Sequence, residues 1–171
     1  MCALLGLIFF SCLASTATLE RGSLPNPKLT PGDTLGVTKA DICTPGYTKV
    51  VRAVPAAVKR QVYAAYGRSR KKGVCCEVDH LISLELGGSN RIRNLWPEPY
   101  DIVWNAHVKD RLENRLHQMV CAGQLDLTIA QRAIASDWIA AYKRYESPNP
   151  QSAGRKQQGN YQSGRKDLEQ R

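Results

Sequence analysis

The run CEVDHLISLELGGSNRIRNLW, residues 76 to 96, constrains this chain more than any other stretch. CEVDHLISL and IRNLW are short apolar segments with the composition of strands, separated by the turn-forming ELGGSN, and this arrangement predicts a β-hairpin. Gly87 and Gly88 are expected to supply the positive φ that such a turn or bulge requires.

Helices flank the hairpin on both sides. Pro55 opens a predicted helix running to about Tyr66, with Val58, Val62 and Tyr66 on one face and Gly67 as its stop. From about Trp104 to Ala122, Val108, Leu112, Leu116, Met119 and Val120 recur at helical spacing and Gly123 can close the segment. A further helix is expected from Thr128, with Thr128 and Gln131 as a capping box, turning Ile134, Trp138, Ala141, Tyr142 and Tyr145 inward. These last two helices should pair as an antiparallel hairpin behind the β-hairpin. The fold class is therefore α+β, and mostly α outside the β-hairpin.

The ends read differently. Ala3 to Leu13 is an apolar run too short for an ordinary membrane span. It is followed by Ser15-Thr16-Ala17, which fits a signal-peptidase site, although no basic residue precedes it. Residues 1–17 are thus expected to be a signal peptide and the mature chain to be secreted or periplasmic, with no membrane span. Residues 18–36, rich in Pro, Gly and Thr, form an extended lead-in, and 37–146 form the domain. Residues 147–171 are a basic tail, almost free of aliphatic side chains, for which disorder is expected.

Removing residues 1–17 leaves Cys43, Cys75, Cys76 and Cys121 as disulfide candidates, with three full pairings open. A bridge between adjacent cysteines is sterically awkward, so bonds from Cys75 and Cys76 to Cys43 and Cys121 are the preferred expectation. No Cys-x-x-Cys occurs, which argues against a zinc knuckle.

The 171 residues include 24 Lys+Arg and 15 Asp+Glu, a formal charge of +9, which favours a polyanionic partner. Arg68, Arg70, Lys71 and Lys72 form the densest basic run outside the tail. With Arg91 and Arg93 they are the candidate nucleic-acid-binding residues.

The chemistry of the hairpin points the same way. Hydrolysis of a phosphodiester needs a base to activate water and positive charge for the developing anion. An adjacent carboxylate and imidazole, Asp79 and His80, can supply a metal ligand and that base. Neighbours in a regular strand face opposite sides, so a bend or strand end must bring the two together.

DHLISLELGGSNRIRNL resembles the signature of the HNH endonucleases, in which Asp-His, a Gly-Gly turn and Asn-Leu lie on a ββα-metal, or His-Me finger, hairpin. The interval of fourteen from His80 to Asn94 fits that pattern. A looser likeness to small exported bacterial HNH-endonuclease-like proteins extends from about Thr38 to Tyr145. The resemblance implies a ββα-metal core with flanking helices and a divalent cofactor (Mg²⁺, Mn²⁺ or Zn²⁺). It implies His80 as general base, Asp79 as a metal ligand, and Asn94 as the residue that locks the hairpin and orients His80.

One position departs from the pattern. About twenty-three residues past the base, where the family places a further ligand, stands Val103, which has no ligand atom. His107 is the first candidate to replace it, with Asn105, Asp110 and Glu113 as alternatives. The reading that follows is an exported, metal-dependent endonuclease acting on DNA, and on RNA as a second substrate, with low sequence specificity. Its rival is a non-catalytic protein on a degenerate HNH scaffold that binds nucleic acid or an envelope polymer.

Overall fold

A computed structural model describes residues 24–68 and 75–146. Three helices precede the sheet: α1 (Lys39–Ile42), α2 (Tyr47–Val51) and α3 (Ala56–Ala65). Strands β1 (Cys76–His80) and β2 (Leu95–Pro99) pair antiparallel, and α4 (Ala106–Cys121) and α5 (Leu127–Tyr145) follow. The architecture is mixed α+β, with one small two-stranded sheet and about half of the described residues helical. Among the described residues no helix is long and apolar enough to cross a membrane.

The strands are shorter than the apolar runs suggest. β1 stops at His80, opposite Leu95, and two 3₁₀ turns, Leu84–Leu86 and Ile92–Asn94, fill the connection. Asn94 accounts for that irregular shape: its Oδ1 accepts from Ile82 N at 2.9 Å, and its Nδ2 donates to Ile82 O and Ser89 O, each at 2.9 Å. A single buried amide thus satisfies backbone groups that a regular ladder would have paired.

The two glycines have different jobs. Gly87 has φ 76°, as expected, but Gly88 does not have positive φ. Gly88 is needed for space, since a Cβ there would lie 1.7 Å from Ile82 O and 2.9 Å from Asn94 Nδ2.

The lead-in packs onto this loop. Leu35 N donates to Gly87 O, Ser89 N to Asp33 O, and buried Thr30 donates through Oγ1 to Leu95 O at 2.8 Å. Behind the hairpin, Leu81, Ile82, Leu86 and Trp96 meet Leu112, Leu116 and Val120 of α4 and Ala130, Ile134 and Trp138 of α5. Trp96 plugs the core at 2 % exposure.

Two helix starts differ from expectation. Asp126, one residue before α5, caps it by accepting from Thr128 N and Ile129 N. Gln131, freed from a capping role, donates to Leu86 O at 2.8 Å and ties α5 to the hairpin loop. Pro55 sits at the cap of α3 rather than inside it.

The preferred cysteine pairing is overturned. Cys43 bonds Cys121 across 78 residues, with Cα atoms 5.7 Å apart, and Cys75 bonds its neighbour Cys76. The tertiary fold brings the end of α1 against the end of α4, out of reach of β1. The adjacent pair is left with each other, not anchored to the flanking helices.

Candidate active site

A cavity of about 200 Å³ opens where β1 ends, lined by Arg52, Asp79, His80, Ser83, Glu85, Asp110, Glu113 and their neighbours. Its position explains how Asp79 and His80 share one space despite adjacent places on a strand. His80 is the last paired residue, and the chain bends immediately after it. The two side chains approach to 3.9 Å, Asp79 Oδ1 to His80 Nδ1.

His80 is 5 % exposed and its ring is held from behind. Nε2 lies 2.9 Å from Asn90 Oδ1, while Asn90 Nδ2 donates to Val51 O at 2.7 Å. A carbonyl can only accept, so the Val51 contact turns the Asn90 amide oxygen toward the imidazole. Nε2 must then carry the ring proton and donate it to Asn90, which leaves the Nδ1 lone pair on the Asp79 side. The end of α2 thereby sets the tautomer of a residue on β1. Asn94, expected to orient His80, instead clasps the backbone of Ile82 and Ser89; the orienting amide is Asn90.

From the far wall, α4 contributes Lys109. Its side chain is completely buried, with Nζ 2.6 Å from Asp79 Oδ2, 2.5 Å from Glu113 Oε1 and 3.3 Å from Glu98 Oε2. Three carboxyls around one ammonium cannot all hold charge cheaply. Burial pushes Glu98 well above the usual carboxylate range, and it pushes Glu113 up to about 8 against the opposing pull of Lys109. Burial acts on Asp79 in the same sense, but the Lys109 ammonium, hydrogen-bonded to its Oδ2, overrides it and holds Asp79 below that range. Lys109 is in turn held well above its ordinary value: the three carboxyls outweigh its desolvation. The cluster thus centres on one ion pair, Asp79 with Lys109, beside two carboxyls that burial biases toward their neutral forms.

The remaining candidates fall in and out of this space. Asp110 and Glu113 line the cavity. His107 does not: it is exposed, its ring 5.9 Å from that of Tyr100, because it lies on the outer face of α4. Asn105 caps α4 by accepting from Val108 N at 3.1 Å, and Val103 is 69 % exposed. The helix residue that meets Asp79 is Lys109.

Of the basic residues, Arg68 lies against the Cys75 sulfur at 3.0 Å, Arg91 pairs with Asp33 at 3.4 Å, and Arg93 is exposed. None of the three lines the cavity. Arg70, Lys71 and Lys72 lie outside the described residues, as do the signal and tail segments. The cation at the cavity wall is Arg52, which sequence reasoning missed for want of any motif around it.

Lys109 did leave a signal. It stands in the same helical stripe as Leu112, Leu116 and Val120, and a lysine in a core stripe demands a buried counter-charge. Asn90 left none beyond its place in the turn.

The acidic groups of the cavity are not drawn together as a closed ligand set. Among the described residues the cluster whose ligand atoms all lie within 4.8 Å of one another is Cys43, His117 and Cys121, a set that could hold a metal ion. No family model matches this chain, and no curated protein or solved structure is detectably similar to it.

Proposed function

We propose that the chain is an exported, metal-dependent endonuclease that hydrolyses phosphodiester bonds of DNA, and of RNA as a second substrate, on a ββα hairpin-plus-helix core formed by β1, β2 and α4. One observation carries the reading. His80 is buried, its ring fixed by Asn90 with Nδ1 toward Asp79, in a cavity that also presents a cation, Arg52, and the carboxyls of Asp110 and Glu113.

The residues present suit a divalent cation. Asp79, Asp110 and Glu113 line one cavity, and their carboxyl oxygens are the donor type that Mg²⁺ or Mn²⁺ takes, although a bound ion would have to draw them closer together than they stand. Two wall residues, Ser83 and Glu85, each keep a buried polar atom with no protein partner, as expected of a site that a bound group completes. Asp79 would hold the ion with Glu113 or Asp110, and when bound it would stabilise charge on the scissile phosphate and leaving oxygen.

The chain's own groups do the rest. His80 Nδ1 takes the proton from water, Asn90 keeps the imidazole in the tautomer that can accept it, and Arg52 seats a non-bridging phosphate oxygen. Lys109 is too deeply buried to touch substrate; it holds Asp79 ionised and aimed. With no groove-reading module in the described domain, low sequence specificity follows.

A second reading rests on Lys109 itself. Its ammonium stands between Asp79 and Glu113, where a metal ligand would be expected, and this favours a non-catalytic binder of nucleic acid on the same scaffold. Oxidised mature protein incubated with supercoiled plasmid or with RNA, plus Mg²⁺, Mn²⁺ or Zn²⁺, separates the two. Cleavage that falls roughly 10²–10⁴-fold in His80→Ala supports the enzyme. Retention of the plasmid without cleavage under every metal supports the binder.

A further inference from the structure

The far end of α4 carries a second cluster that the nuclease reading does not use. His117 and Cys121 are one turn apart on α4, and Cys43 is the residue that ends α1. His117 Nε2 lies 3.4 Å from Cys121 Sγ and 3.0 Å from Ile42 O, and all three side chains are half-buried, within reach of solvent. None lines the His80 cavity. At 1.5 Å per residue, His117 and Cys121 are about 12 and 18 Å along the helix from Lys109.

With Cys43 and Cys121 joined as a disulfide, their sulfurs are spent. Two-electron reduction by a dithiol breaks that S–S bond, forms one in the reductant, and leaves two thiols beside an imidazole. Loss of both thiol protons then gives two thiolates. His117 completes the set by moving its ring proton to Nδ1 and releasing Ile42 O, so that Nε2 offers a lone pair. Two sulfurs and one nitrogen, with a water as fourth ligand, suit a soft, tetrahedral divalent cation of the zinc type rather than the hard ion suited to the carboxyl cavity.

Both chemistries clamp the same two points. The span from Cys43 to Cys121 encloses α2, α3, the whole β-hairpin and α4, so whatever joins its ends holds His80, Asn90 and Lys109 in one frame. A plain structural disulfide needs no histidine beside it. We infer that Cys43, His117 and Cys121 form an exchangeable staple: a disulfide under oxidising conditions and a thiolate–imidazole site for a zinc-like cation under reducing ones.

The test uses the full chain in a Cys75→Ser/Cys76→Ser background, so that only Cys43 and Cys121 change state. Protein reduced by a phosphine under anaerobic conditions is titrated with Co²⁺ and then Zn²⁺, beside the oxidised form and His117→Ala. The inference expects one Co²⁺ per reduced chain with a thiolate charge-transfer band and tetrahedral d–d bands. Zn²⁺ should displace it and raise the melting temperature of the reduced protein, the oxidised form should give no such spectrum, and His117→Ala should lose at least tenfold in Zn²⁺ affinity. A reduced chain with no thiolate–cobalt band, or one that Zn²⁺ fails to stabilise, overturns the inference. So does His117→Ala binding Zn²⁺ as tightly as the parent.

Discussion

Lys109 Nζ lies 2.6 Å from Asp79 Oδ2, a salt bridge between the buried stripe of α4 and the end of β1. Replacing the lysine removes the partner and leaves the carboxylate buried, the costly way to break such a pair. Lys109→Met should lower unfolding stability by about 3–5 kcal/mol. Adding Asp79→Asn should recover much of that loss, because the orphan charge is gone. Urea denaturation of both variants is the measurement; additive losses would show that the two residues are not coupled.

Asn90 is predicted to matter for rate rather than fold. Asn90→Ala removes both the acceptor on His80 Nε2 and the tie to Val51, so the ring is free to rotate and change tautomer. On the proposed nuclease reading, activity should fall on the order of 10- to 100-fold, the range seen when a second-layer partner of a site imidazole is removed. Steady-state kinetics should place the loss in kcat with KM little moved, and wild-type kcat in Asn90→Ala would remove this residue from the site.

Arg52 is expected to act on substrate binding. If it seats a phosphate oxygen, Arg52→Ala should weaken binding to all sequences alike and reduce the slope of log K against log salt by about 0.9. Fluorescence titrations of a labelled oligonucleotide at several salt concentrations read this directly. An unchanged slope would assign the phosphate contact elsewhere.

Gly88→Ala probes the loop. The added Cβ would meet Ile82 O and displace the Asn94 amide that clasps it, so at least about 3 kcal/mol of stability should be lost. Gly36→Ala is the control: unlike Gly88, that glycine has positive φ, and no atom lies within 4 Å of an added Cβ. It should cost about 1 kcal/mol, the ordinary strain of a left-handed alanine. Equal melting temperatures for the two variants would contradict the crowding at Gly88.

Stability should also depend on pH through Glu113. Its carboxyl titrates near 4.5 when unfolded, and burial raises it to about 8 in the fold. Between those values the folded chain keeps a proton that the unfolded chain has lost. The contribution is therefore complete below pH 4.5 and is lost as pH rises through 8. Asp79, held below its ordinary 3.8, works in the opposite sense: its contribution is present above that value and disappears in acid. Denaturation midpoints between pH 4.5 and 8 should decline more steeply for the wild type than for Glu113→Gln, and parallel curves would sink the assignment.

Much of this fold is legible in local pattern. The stripe of Leu112, Leu116 and Val120 announces α4, and the glycine-centred turn announces the hairpin, because period and turn chemistry are properties of neighbouring residues. The likeness at Asp79, His80 and Asn94 points to the end of β1, where Asp79 and His80 line a cavity. It did not lead to the correct partner for His80, since Asn90 and Asn94 are both amides in the same loop and only the path of the backbone tells which one meets the ring.

What the tertiary structure alone decides are the contacts between distant segments. The ends of α1 and α4 meet, so Cys43 finds Cys121 and the adjacent cysteines are left to each other. The face of α4 that turns inward carries Lys109 to Asp79 and leaves His107 in solvent, three carboxyls share one ammonium, and Arg52 arrives at the cavity from a segment with no motif of its own. The sequence by itself determined which residues could do chemistry and which local shapes they would take. Which of them stand within 3 Å of one another depended on how the helices pack around the hairpin, and packing is settled by the whole core at once, not by any stretch of chain read alone.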